Sequence, residues 1–307
     1  MKIAILGATS HIAQDLILSF SQKKSYSFSL FTRNVRLLEK WISNVNLGEE
    51  YQAQSYIDFN NANKYDVVIN FVGIGDPEKA QRMGDNILKI TKQYDDMVLE
   101  YIRHNKKTKY IFLSSGAVYG GDYQDPVNGN SLPSIDNLSE TSWYAISKLQ
   151  AEEGHRMLTN LPIVDIRVFN YFSHTQNMNS KFLITDVVQA IRNKEILRTS
   201  PGNIARDFVT PPDFYSLVQS VINYKPINVA LDCYTKAPVF KFDLLSTIKD
   251  KFGLNYEVTE DLDIVNATGF KMNYYSSYKK AEILGYKPKN TALEGIIKEI
   301  ELMGVES

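Results

Sequence analysis

Apolar residues in the first half of the chain come in short unbroken runs. Each run is followed by a stretch in which apolar positions recur at helical spacing. "KIAILGA" ends in glycine, as a strand buried on both faces does. "SHIAQDLILSFSQ" then places Ile12, Leu16 and Phe20 on one helical face. "YSFSLFTR", "YDVVINFVG" and "KYIFLSS" read as further strands, with a long helical stretch from Pro77 to His104 between the last two. "WYAISKLQAEEGHRML" is helical and "LPIVDIRVFNYF" is again a strand. Strand–helix alternation with connections of crossover length predicts a parallel sheet covered on both faces. After about Tyr171 the pattern loosens. "SHTQNMNS" and "RTSPGNIARD" are polar and punctuated by Gly or Pro, as loops bounding a smaller, irregular lobe are. "DLLSTIKDKFG" reads as a helix stopped by Gly253. No internal repeat and no low-complexity tract interrupts the chain.

Bulk properties narrow the class. A chain of 307 residues can bury a large core in one or two domains, and 44% apolar with 22% charged residues is ordinary globular composition. A formal net charge of -1 gives no electrostatic footprint for nucleic acid. The single Cys233 fits a reducing compartment. No apolar run approaches the roughly 20 residues of a bilayer crossing. The first residues already read as a strand rather than a signal peptide. The expectation is a soluble, cytoplasmic protein without membrane or nucleic-acid partners. No metal enters the reading.

The stretch "LGATSHIAQDLI" then carries the first chemistry. In open α/β sheets a ligand binds beyond the carboxyl ends of the strands, where a helix N-terminus offers free N–H groups and a positive dipole end. Gly7 supplies the tight turn. The two later glycines of the usual phosphate fingerprint are replaced by Ser10 and Ala13, both small, and Ser10 can donate its hydroxyl to a phosphate. A strand–turn–helix without ligand remains the alternative. The second strand ends "LFTRN", with Thr32 where NAD-selective sites carry an acid and Arg33 next to it. An arginine suits a ribose 2′-phosphate, so Arg33, with Arg36 as a possible helper, favours NADPH over NADH; a plain surface arginine is the other reading. In "SYIDFN", Asp58 can accept from an adenine amino group or cap a turn.

"FLSSGAVYG" ends an apolar strand on Ser114 and Ser115, where a ligand-facing hydroxyl belongs. In "WYAISK", Tyr144 and Lys148 share one helical face. An ammonium beside a phenol favours the phenolate, and a positive nicotinamide adds to that, so Tyr144 is a candidate proton donor with Ser115 holding the substrate oxygen. With 19 tyrosines, chance copies of the spacing are unavoidable, and Tyr275 with Lys279 is one. Tyr144 differs in context, because it follows the serine-ended strand after a proline-containing loop.

Taken together, "GATSHIA", "IDF", "DVVINFVG", "FLSSGAVYG", "YAISKLQAE", "RVFNYF", "RDFVTPPD" and "LGYKP" fall in an order that resembles the extended short-chain dehydrogenase/reductase superfamily. The likeness is to its NAD(P)-dependent nucleotide-sugar epimerase/dehydratase branch and covers essentially the whole length. It implies an α/β fold: a Rossmann-type doubly wound parallel sheet with a smaller C-terminal α/β substrate lobe. Residues 1–170, with a return segment near 207–235, would bind the cofactor, and 171–206 with 236–307 the substrate. It implies a catalytic set of Ser115, Tyr144 as acid/base, and Lys148 on the nicotinamide ribose. The cofactor would run along Gly7, Thr9, Ser10, His11 and Ile12, past Thr32, Arg33, Asp58 and Phe59, to Phe71, Val72 and Gly73 and then to Tyr144 and Lys148. Asn170 matches a contact to the sugar nucleotide and Arg206 one to its diphosphate; the plain readings are a strand-end asparagine and an arginine paired with Asp207. Relatives often dimerise through helices corresponding to Pro77–His104 and Tyr144–Leu158, so a homodimer is expected.

Departures from the branch select among its chemistries. One fingerprint glycine of three is kept, and "NFVGIG" gives Gly73 and Gly75 the wall after the fourth strand. Dehydratases place adjacent acids beside the catalytic hydroxyl, whereas this chain reads Ser115-Gly116-Ala117. Dehydration is therefore disfavoured. The expectation is an NADPH-dependent reductase of a nucleotide-linked keto-sugar, of the 4-keto-6-deoxy type, in surface-polysaccharide or modified-sugar biosynthesis. An NAD-dependent nucleotide-sugar 4-epimerase is the alternative. A non-catalytic NADP-binding sensor or scaffold is a second, and such a protein would be expected to lose the tyrosine or the lysine.

Overall fold

A computed structural model describes residues 1–22, 26–74, 80, 82–121, 123–135, 138–139, 142–180, 182–260 and 271–305. Gly75 and Pro77 lie outside the described residues. In chain order the strands are β1 (Lys2–Leu6), β2 (Ser27–Thr32), β3 (Tyr51–Ser55), β4 (Val67–Asn70), β5 (Lys109–Ser115), β6 (Ile163–Val168), β7 (Asn170–Tyr171), β8 (Ile196–Thr199), β9 (Ala205–Arg206), β10 (Phe208–Val209), β11 (Val229–Asp232), β12 (Val239–Phe240), β13 (Asn255–Val258) and β14 (Asn273–Tyr274). The helices are α1 (His11–Ser21), α2 (Val35–Asn44), α3 (Asn86–His104), α4 (Trp143–Met157), α5 (Leu183–Asn193), α6 (Pro211–Asn223), α7 (Lys241–Phe252) and α8 (Ala292–Leu302).

One seven-stranded sheet in the order β11-β6-β5-β4-β1-β2-β3 organises the molecule, and every pairing in it is parallel. This is the Rossmann-type α/β fold read from the sequence. The unbroken apolar run of β1 has its cause here. Ile3 and Ile5 face a core built with Leu16, Ile17 and Phe20 of α1 and Leu217 and Val218 of α6. Ala4 and Leu6 face the opposite core, with Val98, Leu99 and Ile102 of α3. Each such side chain removed from water contributes about 1.5–3 kcal/mol, so both faces must stay apolar.

On α1 the expected face lies on the core, with Leu16 and Phe20 buried and Ile12 packed at its edge. Ile12 is only half-buried, whereas Asp15 is buried and accepts from Tyr171 Oη at 2.9 Å and Thr175 Oγ1 at 2.6 Å. The described helix before His104 begins at Asn86. Its apolar stripe and that of α4 are spent on the sheet and on each other. Among the described residues of these two helices, Met157 is the one exposed large apolar side chain. A separate core gathers Ile184, Val187 and Val188 of α5, Leu245 and Ile248 of α7, and Ile296 and Ile300 of α8. Gly253 stops α7 with φ +71°, as its position predicts.

Neighbouring strands on the two sides of β1 are β2 and β4, so the strand order reverses there and leaves a crevice at the carboxyl end of β1. Among the described residues no helix is long and apolar enough to cross a membrane.

Candidate functional site

Gly7 opens the crevice. Its φ is +75°, and a Cβ there would lie 2.9 Å from both Phe71 C and Val72 N, so the exit of β4 passes directly against the turn. Only glycine meets both conditions. Ser10 then stands at the N-cap of α1 without a side-chain cap bond, and its Oγ is buried with no partner. By contrast Asn34 caps α2 through Leu37 N at 3.1 Å. An orphaned buried hydroxyl beside an uncapped helix N-terminus is a donor set that suits a phosphate. The residues present therefore fit a dinucleotide diphosphate although two glycines are replaced. His11, the first helical residue, has Nε2 2.7 Å from Ser173 Oγ, 3.0 Å from Thr175 Oγ1 and 3.2 Å from Asp15 Oδ2. Burial lowers its pKa, and Asp15 pulls the other way. Thr9 is exposed on the turn.

Beyond the carboxyl ends of β2 and β3 is a cleft of about 540 Å³ lined by Arg33, Ser55, Tyr56, Ile57, Gln93, Tyr94 and Met97. Arg33 is exposed there, as the reading of "LFTRN" requires. Thr32 is buried, and its Oγ1 accepts from Asn34 N at 3.2 Å. Neither Asp58 nor Phe59 lines the cleft. Asp58 caps the turn after β3, accepting from Ser55 N at 3.2 Å, and Phe59 packs in the core against Phe31, their ring centroids 5.2 Å apart. Instead Tyr56, which the sequence did not single out, reaches back to accept from Gly7 N at 3.1 Å and packs on Tyr94 at 4.5 Å. Burial, with Tyr94 beside it, raises its pKa to about 12.

At the carboxyl end of β5 the chemistry converges. Ser115 is buried, its Oγ accepts from Ala117 N at 3.2 Å, and its hydroxyl stands near enough to the Tyr144 phenol of α4 to bear on its pKa. Lys148, one turn on, is buried; its Nζ donates to Leu113 O at 2.7 Å and lies 4.4 Å from the Phe112 ring centroid and 6.0 Å from that of Tyr144. Burial lowers its pKa to about 8 against the pull of Asp95, Asp165 and Glu152. Burial raises the pKa of the Tyr144 phenol, with the Ser115 hydroxyl pulling the other way. The lysine Nζ is taken up by a backbone carbonyl, and burial is the larger influence on the phenol. Phe71 is core, Val72 N donates to Asn70 Oδ1 at 2.9 Å, and Gly73 lies beside Nζ.

The remaining predicted residues approach from the other lobe. Asn170 Nδ2 donates to Asp207 O and Tyr274 O, both at 3.3 Å. Arg206 does not pair with Asp207, which accepts instead from Thr235 N at 2.9 Å and Thr235 Oγ1 at 2.5 Å. The guanidinium lies 5.9 Å from the Tyr274 ring centroid, with Lys271 Nζ 4.2 Å from the same ring. Burial lowers Arg206 to about 10 and Lys271 to about 8, the latter also through Arg206. Burial raises the Tyr274 phenol, against a pull from the Ser115 hydroxyl. Tyr274 and Lys271 carried no sequence signal, because their approach depends on two short pairings, Asn273 with Ala205 and Tyr274 with Arg206. Tyr275 and Lys279 form no such site: Lys279 Nζ stacks 3.9 Å from the Tyr234 ring. Among the described residues no cluster of three or more His, Cys, Asp or Glu is placed to hold a metal ion.

A family model described as the NAD dependent epimerase/dehydratase family matches residues 3–229. A putative UDP-glucose 4-epimerase of Methanocaldococcus jannaschii is 27% identical over 212 residues, which is 67% of this chain and 66% of that protein, just under two thirds of its length. UDP-glucuronic acid 4-epimerase from Bacillus cereus, solved with UDP-glucuronic acid and NAD, superposes with a TM-score of 0.77 at 18% identity over 99% of both chains. dTDP-glucose 4,6-dehydratase from Bacillus anthracis, solved with NAD, does so with a TM-score of 0.77 at 17% identity over 98% of this chain and 96% of that one. At these identities the structural likeness is one of fold.

Proposed function

The chain belongs to the NAD dependent epimerase/dehydratase family, and from that premise we propose that it reduces a nucleotide-linked keto-sugar of the 4-keto-6-deoxy type with NADPH. A nicotinamide dinucleotide follows from the family. Arg33 carries the narrower choice of NADPH, standing exposed in the cleft where an acid would hold a 2′-hydroxyl. The Ser10 hydroxyl and the first N–H groups of α1 would hold the diphosphate, and Lys148 the nicotinamide ribose. When bound, the dinucleotide supplies the hydride.

The chain's own residues handle the proton. Ser115 holds the keto oxygen, and Tyr144 gives it the phenolic proton as the hydride arrives. Arg206 and Lys271, two half-buried cations with no carboxylate partner among the described residues, receive the diphosphate of the sugar nucleotide. The core around α5, α7 and α8 then belongs to the substrate lobe. The observation that carries the reading is the placement of Tyr144 and Lys148 one helical turn apart on α4, with the Lys148 Nζ 6.0 Å from the Tyr144 ring and bonded to the strand that ends in Ser115. A sensor that had given up chemistry would have no use for it. Dehydration remains disfavoured, because a Cβ on Gly116 would lie 2.3 Å from the Phe169 ring and leaves no room for an acid beside Ser115.

The names of the relatives favour a second reading, an NAD-dependent 4-epimerase, which would keep its cofactor bound through each cycle. A setting in surface-polysaccharide or modified-sugar synthesis and a homodimer go with either. Purified protein, NADPH and a panel of keto-sugar nucleotides decide. NADPH oxidation supports the reductase; no oxidation together with interconversion of a UDP-hexose replaces it with the epimerase.

A further inference from the structure

Two hydroxyls flank the Gly7 turn, and neither spends its proton on a described residue. Ser10 Oγ is buried without a partner on one side. On the other side Tyr56 Oη accepts from Gly7 N at 3.1 Å. Among the described residues that is its one hydrogen bond, so the phenolic proton has no acceptor there. A phenol carries one donor beside its acceptor lone pairs. Burial raises its pKa to about 12, so the proton stays on the oxygen at neutral pH.

The place of this hydroxyl is fixed from three sides. Tyr56 opens the 3₁₀ turn Tyr56–Asp58 after β3, which Asp58 closes by accepting from Ser55 N at 3.2 Å. Its ring packs on Tyr94 of α3, the centroids 4.5 Å apart. Its tip rests on the Gly7 backbone. The side chain therefore runs from the end of β3, across β2, to the turn after β1, and it lines one cleft with Arg33 at the end of β2. A dinucleotide fold lays the adenosine ribose across this span, beside the first glycine and with its 2′ position toward the end of β2.

Polarity then selects what the ribose carries. Among the described residues no carboxylate lines the cleft; its polar side chains are Arg33, Ser55, Gln93 and the two phenols. A ribose 2′-hydroxyl is held by an acid, whereas a 2′-phosphate offers acceptor oxygens and calls for donors. Arg33 is an exposed donor on a long side chain, and Tyr56 is a half-buried one locked in place.

We propose that Tyr56 is a specificity residue for the cofactor: it keeps the Gly7 N–H on a lone pair and gives its free proton to an oxygen of the 2′-phosphate, beside Arg33. The inference rests on the NADPH reading and adds to it a neutral, fixed donor at the adenosine end.

Tyr56→Phe removes the hydroxyl and keeps the ring on Tyr94. NADP+ and NAD+ differ by the 2′-phosphate alone, and their binding is read by calorimetric titration of the whole chain without substrate or turnover. NADP+ should bind the variant about tenfold more weakly, the loss of one charge-assisted hydrogen bond, while NAD+ stays within about twofold. Unfolding midpoints of the two proteins should agree. An unchanged ratio of the two affinities in the variant overturns the proposal, whether both weaken, both tighten or neither moves. If the parent prefers NADP+ and the variant keeps that preference, Tyr56 is excluded and the NADPH reading stands. A parent that binds NADP+ no tighter than NAD+ overturns the NADPH reading and the proposal with it.

Discussion

The Nζ of Lys148 lies 3.1 Å from the point where a side chain on Gly73 would begin. Gly73 is exposed on the crevice wall, while the lysine is buried and anchored to Leu113 O. A methyl group at 73 therefore meets the one atom whose place the chemistry depends on. Gly73→Ala should change the unfolding free energy by less than about 1 kcal/mol, since nothing else is crowded. Turnover should fall about tenfold or more as Nζ is displaced. Parallel denaturation and steady-state measurements check this; equal losses in both would place the damage in the fold.

Gly7→Ala should behave in the opposite way. The left-handed backbone at φ +75° costs an alanine about 1–2 kcal/mol, and the Cβ would meet Phe71 and Val72 backbone at 2.9 Å, which cannot move without shifting β4. Urea denaturation should show a loss of about 2 kcal/mol or more. A variant as stable as the parent would mean that the turn relaxes freely.

The fold was legible where burial repeats along the chain. β1 reads as a strand because Ile3 and Ile5 serve one core and Ala4 and Leu6 the other, so no polar residue is tolerated. Gly253 marks the end of α7 because a left-handed residue must follow it. Ser115, Tyr144 and Lys148 were singled out by their order among the family motifs, not by spacing, and Tyr275 with Lys279, whose Nζ lies on the Tyr234 ring, shows why spacing alone is a poor guide. Tyr56 and Tyr274 were not legible. One rides on a three-residue 3₁₀ turn and the other on a two-residue strand, elements too short to leave a period in the sequence. The burial of Lys148 was likewise invisible, and with it the desolvation that raises the neighbouring phenol and lowers the ammonium.

Stability should depend on pH through a buried imidazole. His155 is fully buried between Asp165 Oδ1 at 2.7 Å and Asp95 Oδ1 at 2.9 Å. Burial works against its charge, but the two carboxylates outweigh it and raise the pKa to about 10. The folded chain then holds a proton that the unfolded one releases near 6.5, so the stabilisation is complete below that pH and is lost as pH rises toward 10. Lys148 acts in the opposite sense between about 8 and 10.5, where the unfolded chain binds the extra proton. The loss should therefore be steepest between about pH 6.5 and 8. Denaturation midpoints should fall across that window, and His155→Gln should be less stable at pH 6 and flatter above it. The same lysine should make turnover decline above about pH 8 as its ammonium is lost. A profile still rising at pH 9 would remove Lys148 from the mechanism.

Cofactor choice should turn on Arg33. The guanidinium is exposed at a cleft whose other walls are Ser55, Tyr56, Ile57, Gln93, Tyr94 and Met97, so among the described residues it is the one cation lining that surface. A 2′-phosphate brings nearly two negative charges and three acceptor oxygens, which an arginine meets with paired N–H donors. A ribose 2′-hydroxyl instead needs an acceptor. Arg33→Asp removes the donors and adds a charge of the wrong sign for the phosphate, yet supplies the acceptor the hydroxyl lacks. NADPH should bind about a hundredfold more weakly, roughly 2.7 kcal/mol, while NADH gains. Because the site is exposed, the preference of the parent chain should also shrink as salt is raised from about 0.01 M to 1 M, where the screening length falls from about 30 Å to 3 Å. Calorimetric titration with both cofactors reads all of this. Equal affinity for the two in the parent chain would assign Arg33 to the surface and leave NAD as the cofactor.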